Sequence, residues 1–484
     1  MSQNSPAYKI CQQALKEKWY IQGFNGLPIF LNHAGLSAFE MKKYLGYEYT
    51  KMFLDFQHNY CEVGYLWTDL ERIWRTVKGK LADDRNYLRN VKHQYNKVFE
   101  DCEQFFSKVT RIELKKLSDD ELVTTLQQSG AVMMDSVGVG HIIEAVGMGL
   151  EKDFKQQLRQ VVEPGEKFNQ CLTALTAPTR PSFLTQEEWE LAGLAHLKPS
   201  QREKALTNHA AQYFWLSNSY ARIRELSTQY FARRLATLTG KKLPAKIDIN
   251  KEKAALIGQL NLDKDTKKNI NLIDFTTIWQ DERKANIMKV IGCFDRVIKE
   301  MSRRTKISKQ YLYYLGVKDI EEINSLVDLK LLAGELETRS QGVFFLRVGQ
   351  TEHILSGQSY SDLRQYRDKL ENETQSSERE LHGSVAMTGT AIGRAVICQG
   401  LSSLAKVRPG DIIVASMTRP EFMPALRKAA GIVTDEGGIT CHAAIIAREL
   451  NIPTVIGTKR ATKVFKDGAM IEVRANHGIV RELK

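Results

Sequence analysis

The sequence predicts a multidomain chain: a mainly α-helical N-terminal region over residues 1–370, a linker over 371–380, and a C-terminal α/β domain over 381–484. Three observations carry this reading. A length of 484 residues exceeds what one hydrophobic core usually organises. Apolar residues recur at helical spacing through the region before residue 235. After Leu381 the texture changes to short β-branched runs punctuated by Gly, Pro, Asn and Asp.

The helices come first. "DRNYLRNVKHQYNKVFEDCEQFFSKV" places Tyr87, Leu88, Val91, Tyr95, Val98, Phe99, Cys102 and Phe105 at helical spacing. "LSDDELVTTL" opens a helix with Ser118 as N-cap and Glu121 completing a capping box. "SFLTQEEWELAGLAHL" repeats the device with Thr185 and Glu188. Strand patterns are scarce in this part. A Lys-rich stretch from Leu243 reads as connections and short helices, and "DERKANIMKVIGCFDRVIKEMSRRT" returns to helix. A short extended piece is expected at Tyr311–Leu315, then a turn and a helix from Lys318. "ENETQSSERE", Glu371 to Glu380, has little to bury and is the natural hinge before the next domain. In the α/β domain, "PEFMPALRKA" and "TCHAAIIAREL" are the two expected helices.

Composition narrows the function classes. The chain is 43% hydrophobic and 26% charged, within the range of soluble globular proteins. It shows neither a secretory leader nor a run of about 18 uninterrupted apolar residues, so a cytoplasmic location without a membrane is expected. Seven dispersed cysteines show no C-x-x-C spacing, which reads as reduced thiols. The ten histidines show no zinc-type pairing, so no metal site is expected. The net charge of +12 is spread along the chain rather than gathered in an arm. The small cluster "TGKKLPAK" does not make nucleic acid the expected partner; a phosphorylated ligand suits the charge equally, and a plainly solvated surface suits it better than either.

One stretch carries chemistry: "TDEGGITCHAAIIARELNIPTVIG", Thr434 to Gly457. Asp435 and Glu436 end a strand, and Gly437-Gly438 supply a turn with free φ. Thr440 is a candidate N-cap, His442 falls in the first helical turn, and Asn451 with Pro453 ends the helix. The positive end of the helix disfavours imidazolium and favours an anion. A histidine here is therefore suited to carry a phosphoryl group, although an inert first-turn histidine fits the position alone. Its side chain is expected to stand exposed beyond the glycines.

"GGITCHAAIIARELNIPTVIG" resembles the active-site signature of the phosphohistidine, or swivelling, domain of phosphoenolpyruvate-utilising enzymes. That group includes phosphoenolpyruvate synthase, pyruvate phosphate dikinase and rifamycin phosphotransferase. "GTAIGRAVI", "VRPGDIIVASMTRPEFMPAL" and "ATKVFKDGAMIEVRANHGIV" resemble its opening hairpin, its Thr-x-Pro loop and its closing strands. The resemblance implies a swivelling β/β/α domain with His442 as the phosphoryl-accepting catalytic residue. It implies supporting positions at Gly437, Gly438, Thr440, Cys441, Thr418 and Arg419, with Thr440 where some relatives carry a regulatory phosphorylation. Glu436 departs from the usual small or polar residue and adds a negative charge.

Enzymes of this group are relays in which an ATP-grasp domain phosphorylates the histidine. The sequence holds no P-loop, since "LTGKKL" lacks the leading glycine and the Ser/Thr, and its helical region lacks an ATP-grasp pattern. No directly bound cofactor is expected, and ATP and Mg would act through a separate ATP-grasp partner protein. The helical region more weakly resembles the acceptor segment of rifamycin phosphotransferases and synthase-like relatives, in "LTAPTRPSFLTQEEWELAGLA", "NHAAQYFWLSNSY" and the run from Asp281 to Ile323. Three readings follow: a phosphotransferase acting on a small acceptor, a phosphocarrier or regulatory protein without one, and a non-catalytic interaction protein. Candidate acceptor-pocket residues are His141 with Glu144 one turn on, and the aromatics around His58, Tyr60, Tyr65 and Trp67. Core packing is the plainer account of all of these, as of His209 and Trp215.

Overall fold

A computed structural model describes residues 5–58, 60–238, 249–372 and 380–483. The expected cluster at 239–246 lies outside the described residues, as do residues 373–379 of the expected linker. The chain forms two compact units, both discontinuous in sequence. One comprises residues 1–146, 219–223 and 286–377, and the other 147–218, 224–285 and 378–484. The helices Ile142–Leu158 and Lys264–Thr305 contribute residues to both.

The first unit holds a sheet that the sequence reading missed. Strands β1 (Trp19–Asn25), β2 (Lys51–Gln57), β3 (Tyr60–Leu66), β4 (Val343–Val348) and β5 (Thr351–Ser356) pair antiparallel in the order β1-β3-β2-β4-β5. The signal was hidden because β2 is buried on both faces over five consecutive residues, so the period-2 alternation vanishes. Phe53 of β2 lies opposite Gly64 of β3, where an added Cβ would stand 2.1 Å from the ring. Phe53 instead uses the space a side chain would fill and stacks on Phe344 at 5.3 Å. The helices obey their sequence signals more directly. Tyr87–Arg111 buries Leu88, Val91, Tyr95, Phe99, Cys102, Phe106 and Val109 along one face. Ser118 and Glu121 form the expected capping box.

Three local expectations are corrected. Ser182, not Thr185, caps the helix Phe183–Gly193, because its hydroxyl accepts the Thr185 N–H. Tyr311–Leu315 is not extended: Lys309–Leu312 is a short helix capped by Ser308, and a turn leads to the helix Val317–Glu322. Cys441, not Thr440, is the N-cap of the helix His442–Leu450. Within the helical run Asp119–Leu158, an 18-residue window of mean hydropathy 1.3 is apolar enough to cross a membrane, but 67% of that window is buried within the protein. All seven cysteines are buried and none is in a disulfide.

The second unit combines helices with an eight-stranded sheet. Its strands are β6 (Glu380–His382), β7 (Ser384–Met387), β8 (Thr390–Ile397), β9 (Ile412–Ala415), β10 (Gly431–Thr434), β11 (Thr454–Ile456), β12 (Met470–Arg474) and β13 (Ile479–Glu482). Their order is β6-β13-β12-β8-β9-β10-β11-β7. Strands β8, β9, β10 and β11 run parallel, and the remaining pairs are antiparallel. Parallel neighbours need crossovers, and the helix His442–Leu450 supplies the one between β10 and β11. Ile412, Val414 and Val433 pack into one cluster and Ile413, Ile432, Ile446 and Ala447 into another, so both sheet faces are covered.

In the first unit, Asp55 accepts from Tyr360 Oη at 3.0 Å, Arg364 at 2.8 Å and Arg367 at 2.6 Å. Its side chain is 2% exposed and that of Arg367 is 5% exposed. Removing one partner of a buried pair leaves the other charge uncompensated. Asp55→Ala is expected to destabilise this unit by about 3–5 kcal/mol, read as a lower urea midpoint for its unfolding step.

Candidate active site

Strands β9 and β10 are parallel neighbours, so the loops leaving their carboxyl ends emerge side by side. The first carries Thr418 and Arg419, and the second carries Gly437 through His442. Asp435 anchors the second loop by accepting the Thr462 N–H at 3.0 Å. Gly437 sits at φ +111°, a conformation that L side chains rarely adopt. Gly438 is required for space instead: a Cβ there would stand 2.3 Å from a Glu151 carboxylate oxygen. The helix then starts at His442 and ends at Asn451, whose φ of 53° and ψ of 47° are the expected left-handed cap.

Ile439, between the glycines and the histidine, is held at both backbone polar groups. Glu151 accepts its N–H at 2.9 Å, and Arg448 donates to its carbonyl at 2.9 Å. Arg448 also donates to the Thr176 hydroxyl at 2.9 Å and the Ala386 carbonyl at 3.1 Å. Burial lowers its pKa to about 10, so it stays cationic at neutral pH. Lys155 neutralises Glu151 across 2.5 Å and donates to Ser384 at 2.8 Å. Glu449, on the same helix as His442, accepts from the Ser182 N–H at 2.7 Å and the Thr185 hydroxyl at 2.8 Å. It thereby caps the helix Phe183–Gly193 from outside. Close approach at Thr440 is tight as well, since a Cβ on Gly147 would lie 3.2 Å from its hydroxyl oxygen.

His442 is buried, which corrects the expectation of an exposed side chain. Its Nδ1 lies 3.2 Å from the Thr418 hydroxyl. Its Nε2 is buried and has no hydrogen-bond partner among the described residues. If Nδ1 donates its proton to Thr418 Oγ1, the Nε2 lone pair is left free for attack. Burial holds the imidazole pKa well below its ordinary value, and the charges of Lys284 and Arg419 push in the same direction. Lys284 is itself pulled down to about 8, by burial first and then by Arg419. Asp281, one turn earlier on the helix Lys264–Thr305, is pushed up to about 7 by burial while accepting the Phe183 N–H at 2.8 Å. Two cations beside an unprotonated imidazole suit a group that gains negative charge when it reacts.

Thr418, Arg419, Gly437, Gly438, Thr440, Cys441 and His442 are all brought into this one region. Glu436 lies part-buried beside them, with its N–H bonded to the Ser416 carbonyl at 3.0 Å. His141 and Glu144 belong to the other unit. There His141 Nε2 meets the Ala34 carbonyl at 2.7 Å, and the ring packs by Tyr49 and Tyr65. Glu144 faces Gln22 at 3.5 Å. His209 pairs with Glu187 at 2.9 Å, inside a cluster completed by Arg234. Sequence reasoning missed Glu151, Lys284 and Arg448. Arg448 lies inside the quoted stretch, but as a last-turn arginine it read only as a helix end. The other two come from helices more than 150 residues away, and no local pattern links them to the loop.

Residues 407–478 match the family described as PEP-utilising enzyme, mobile domain. The chain is 42% identical over 166 residues to a probable phosphoenolpyruvate synthase of Archaeoglobus fulgidus, covering 34% of this chain and 22% of that protein. It is 48% identical over 108 residues to the phosphoenolpyruvate synthase of Pyrococcus furiosus, covering 22% and 13% respectively. It is 42% identical over 102 residues to that of Escherichia coli, covering 20% and 13%. The chain thus spans between an eighth and a quarter of the length of these curated relatives. Residues 407–478, with His442 among them, form a segment similar to the mobile domain of phosphoenolpyruvate-utilising enzymes.

Proposed function

We propose that this protein is a phosphotransferase component in which His442 Nε2 accepts a phosphoryl group and passes it to a second acceptor. The observation that carries this is the buried, unpartnered Nε2 beside Lys284 and Arg419. The phosphoryl enters as an electrophile at phosphorus. The N–P bond forms as the donor's P–O bond breaks, and the donor oxygen leaves with the electron pair. The imidazole remains neutral beforehand, so no proton has to be removed from Nε2. Lys284, Arg419 and the first-turn end of the helix His442–Leu450 oppose the charge of the product.

The proposed donor is a separate nucleotide-binding protein of ATP-grasp type, with ATP and Mg²⁺ acting there rather than on this chain. The proposed acceptor is a small molecule and the proposed location cytoplasmic. Because Nε2 is enclosed, access by a donor requires the region around it to open.

Incubation with ATP and cell extract, followed by mass spectrometry under alkaline conditions, is expected to find acid-labile phosphate on His442. His442→Ala should abolish it, and label surviving the substitution would overturn the assignment. Calorimetry of the purified chain should show no micromolar ATP binding.

The depressed imidazole pKa sets a pH test. An ordinary histidine loses its nucleophilic form as pH falls through about 6.5. His442, held below that value, is expected to keep its labelling rate with phosphoramidate from pH 7 to pH 6, where Lys284 stays charged, relative to free histidine in the same solution. Lys284→Met should cut the labelling yield about tenfold, equivalent to about 1.4 kcal/mol of charge stabilisation.

A further inference from the structure

The first unit contains a half-open cleft of about 350 Å³ that lies outside the phosphoryl chemistry. Volumes of this size accommodate small organic ligands. Three helices form it: Pro28–Leu36, Asp119–Gly138 and Val317–Glu322. Gly130, Met134, Val317 and Ile320 give it apolar walls, and Glu321 stands exposed among its lining residues.

His33 supplies the specific group. It is 1% exposed, and its Nδ1 lies 2.6 Å from the Ile29 carbonyl. A carbonyl only accepts, so Nδ1 must carry the proton and Nε2 must present a lone pair. Burial lowers the pKa of this imidazole to about 4, so it stays neutral at physiological pH. Nε2 has no hydrogen-bond partner among the described residues. Gly130 keeps the approach to it open, since a Cβ there would stand 3.0 Å from Nε2. An occupant that donates one hydrogen bond to Nε2 gives this acceptor a partner inside the cleft.

We propose that this cleft is a binding site for a compact, largely apolar, uncharged molecule bearing one hydroxyl, with the hydroxyl donating to His33 Nε2. A negatively charged ligand is disfavoured twice, by the lone pair inside and by the Glu321 carboxylate. The apolar body fills the space between Met134, Val317 and Ile320.

Calorimetry on the full chain with three probes of one shape tests this. 1-Naphthol should bind saturably at one site. 1-Methoxynaphthalene, which has the same rings without the donor, should bind at least tenfold more weakly, and 1-naphthoate should not bind. Ala131→Trp places bulk at an exposed position lining the cleft, away from the core, and should weaken 1-naphthol at least tenfold. Gly130→Ala should weaken 1-naphthol more than 1-methoxynaphthalene, because the added Cβ lies nearest the acceptor nitrogen. The proposal is overturned if 1-naphthol shows no saturable binding, if the methoxy compound binds equally well, or if Ala131→Trp leaves binding unchanged.

Discussion

The parallel pairing of β9 with β10 is the constraint on which the candidate site depends. Parallel neighbours send their following loops out at the same edge, and here those loops carry Thr418 with Arg419 and the glycine turn with His442. No local propensity could bring residues 24 positions apart to 3.2 Å; the sheet register does. The crossover helix that a parallel pair requires then places His442 at its own first turn.

Around that edge, charges are arranged so that the imidazole stays neutral while an anion on it is stabilised. Burial and the two cations lower its proton affinity together. On the proposed function, the same cations would attract a phosphoryl group, so one arrangement would serve the nucleophile and its product. Glu151 and Arg448 perform a different task. They pin the two backbone polar groups of Ile439, fixing the loop without touching the imidazole. Lys155 completes this by pairing with Glu151 and reaching Ser384, at the start of β7.

Polar contacts join several helices of the second unit to its C-terminal segment, beside the apolar packing of Ile446, Ala447 and Leu184 on the sheet. Glu449 with Ser182 and Thr185, Arg427 with Glu188, and Asn169 with the Asn476 carbonyl are all hydrogen bonds or ion pairs.

The sequence by itself determined the α/β character of the C-terminal region, the first-turn position of His442, the Asn451 cap and the Ser118–Glu121 capping box. Each rests on residues within a few positions of one another, where backbone geometry is set locally. Only the tertiary structure decided that His442 is enclosed, that Lys284 and Glu151 reach its surroundings, and that Ser182 rather than Thr185 caps its helix. It also revealed the five-stranded sheet, whose strand β2 is buried on both faces and so lacks the alternation that marks a strand. Burial and long-range charge contacts depend on which distant segments the fold packs together, and periodicity along the chain carries no record of that.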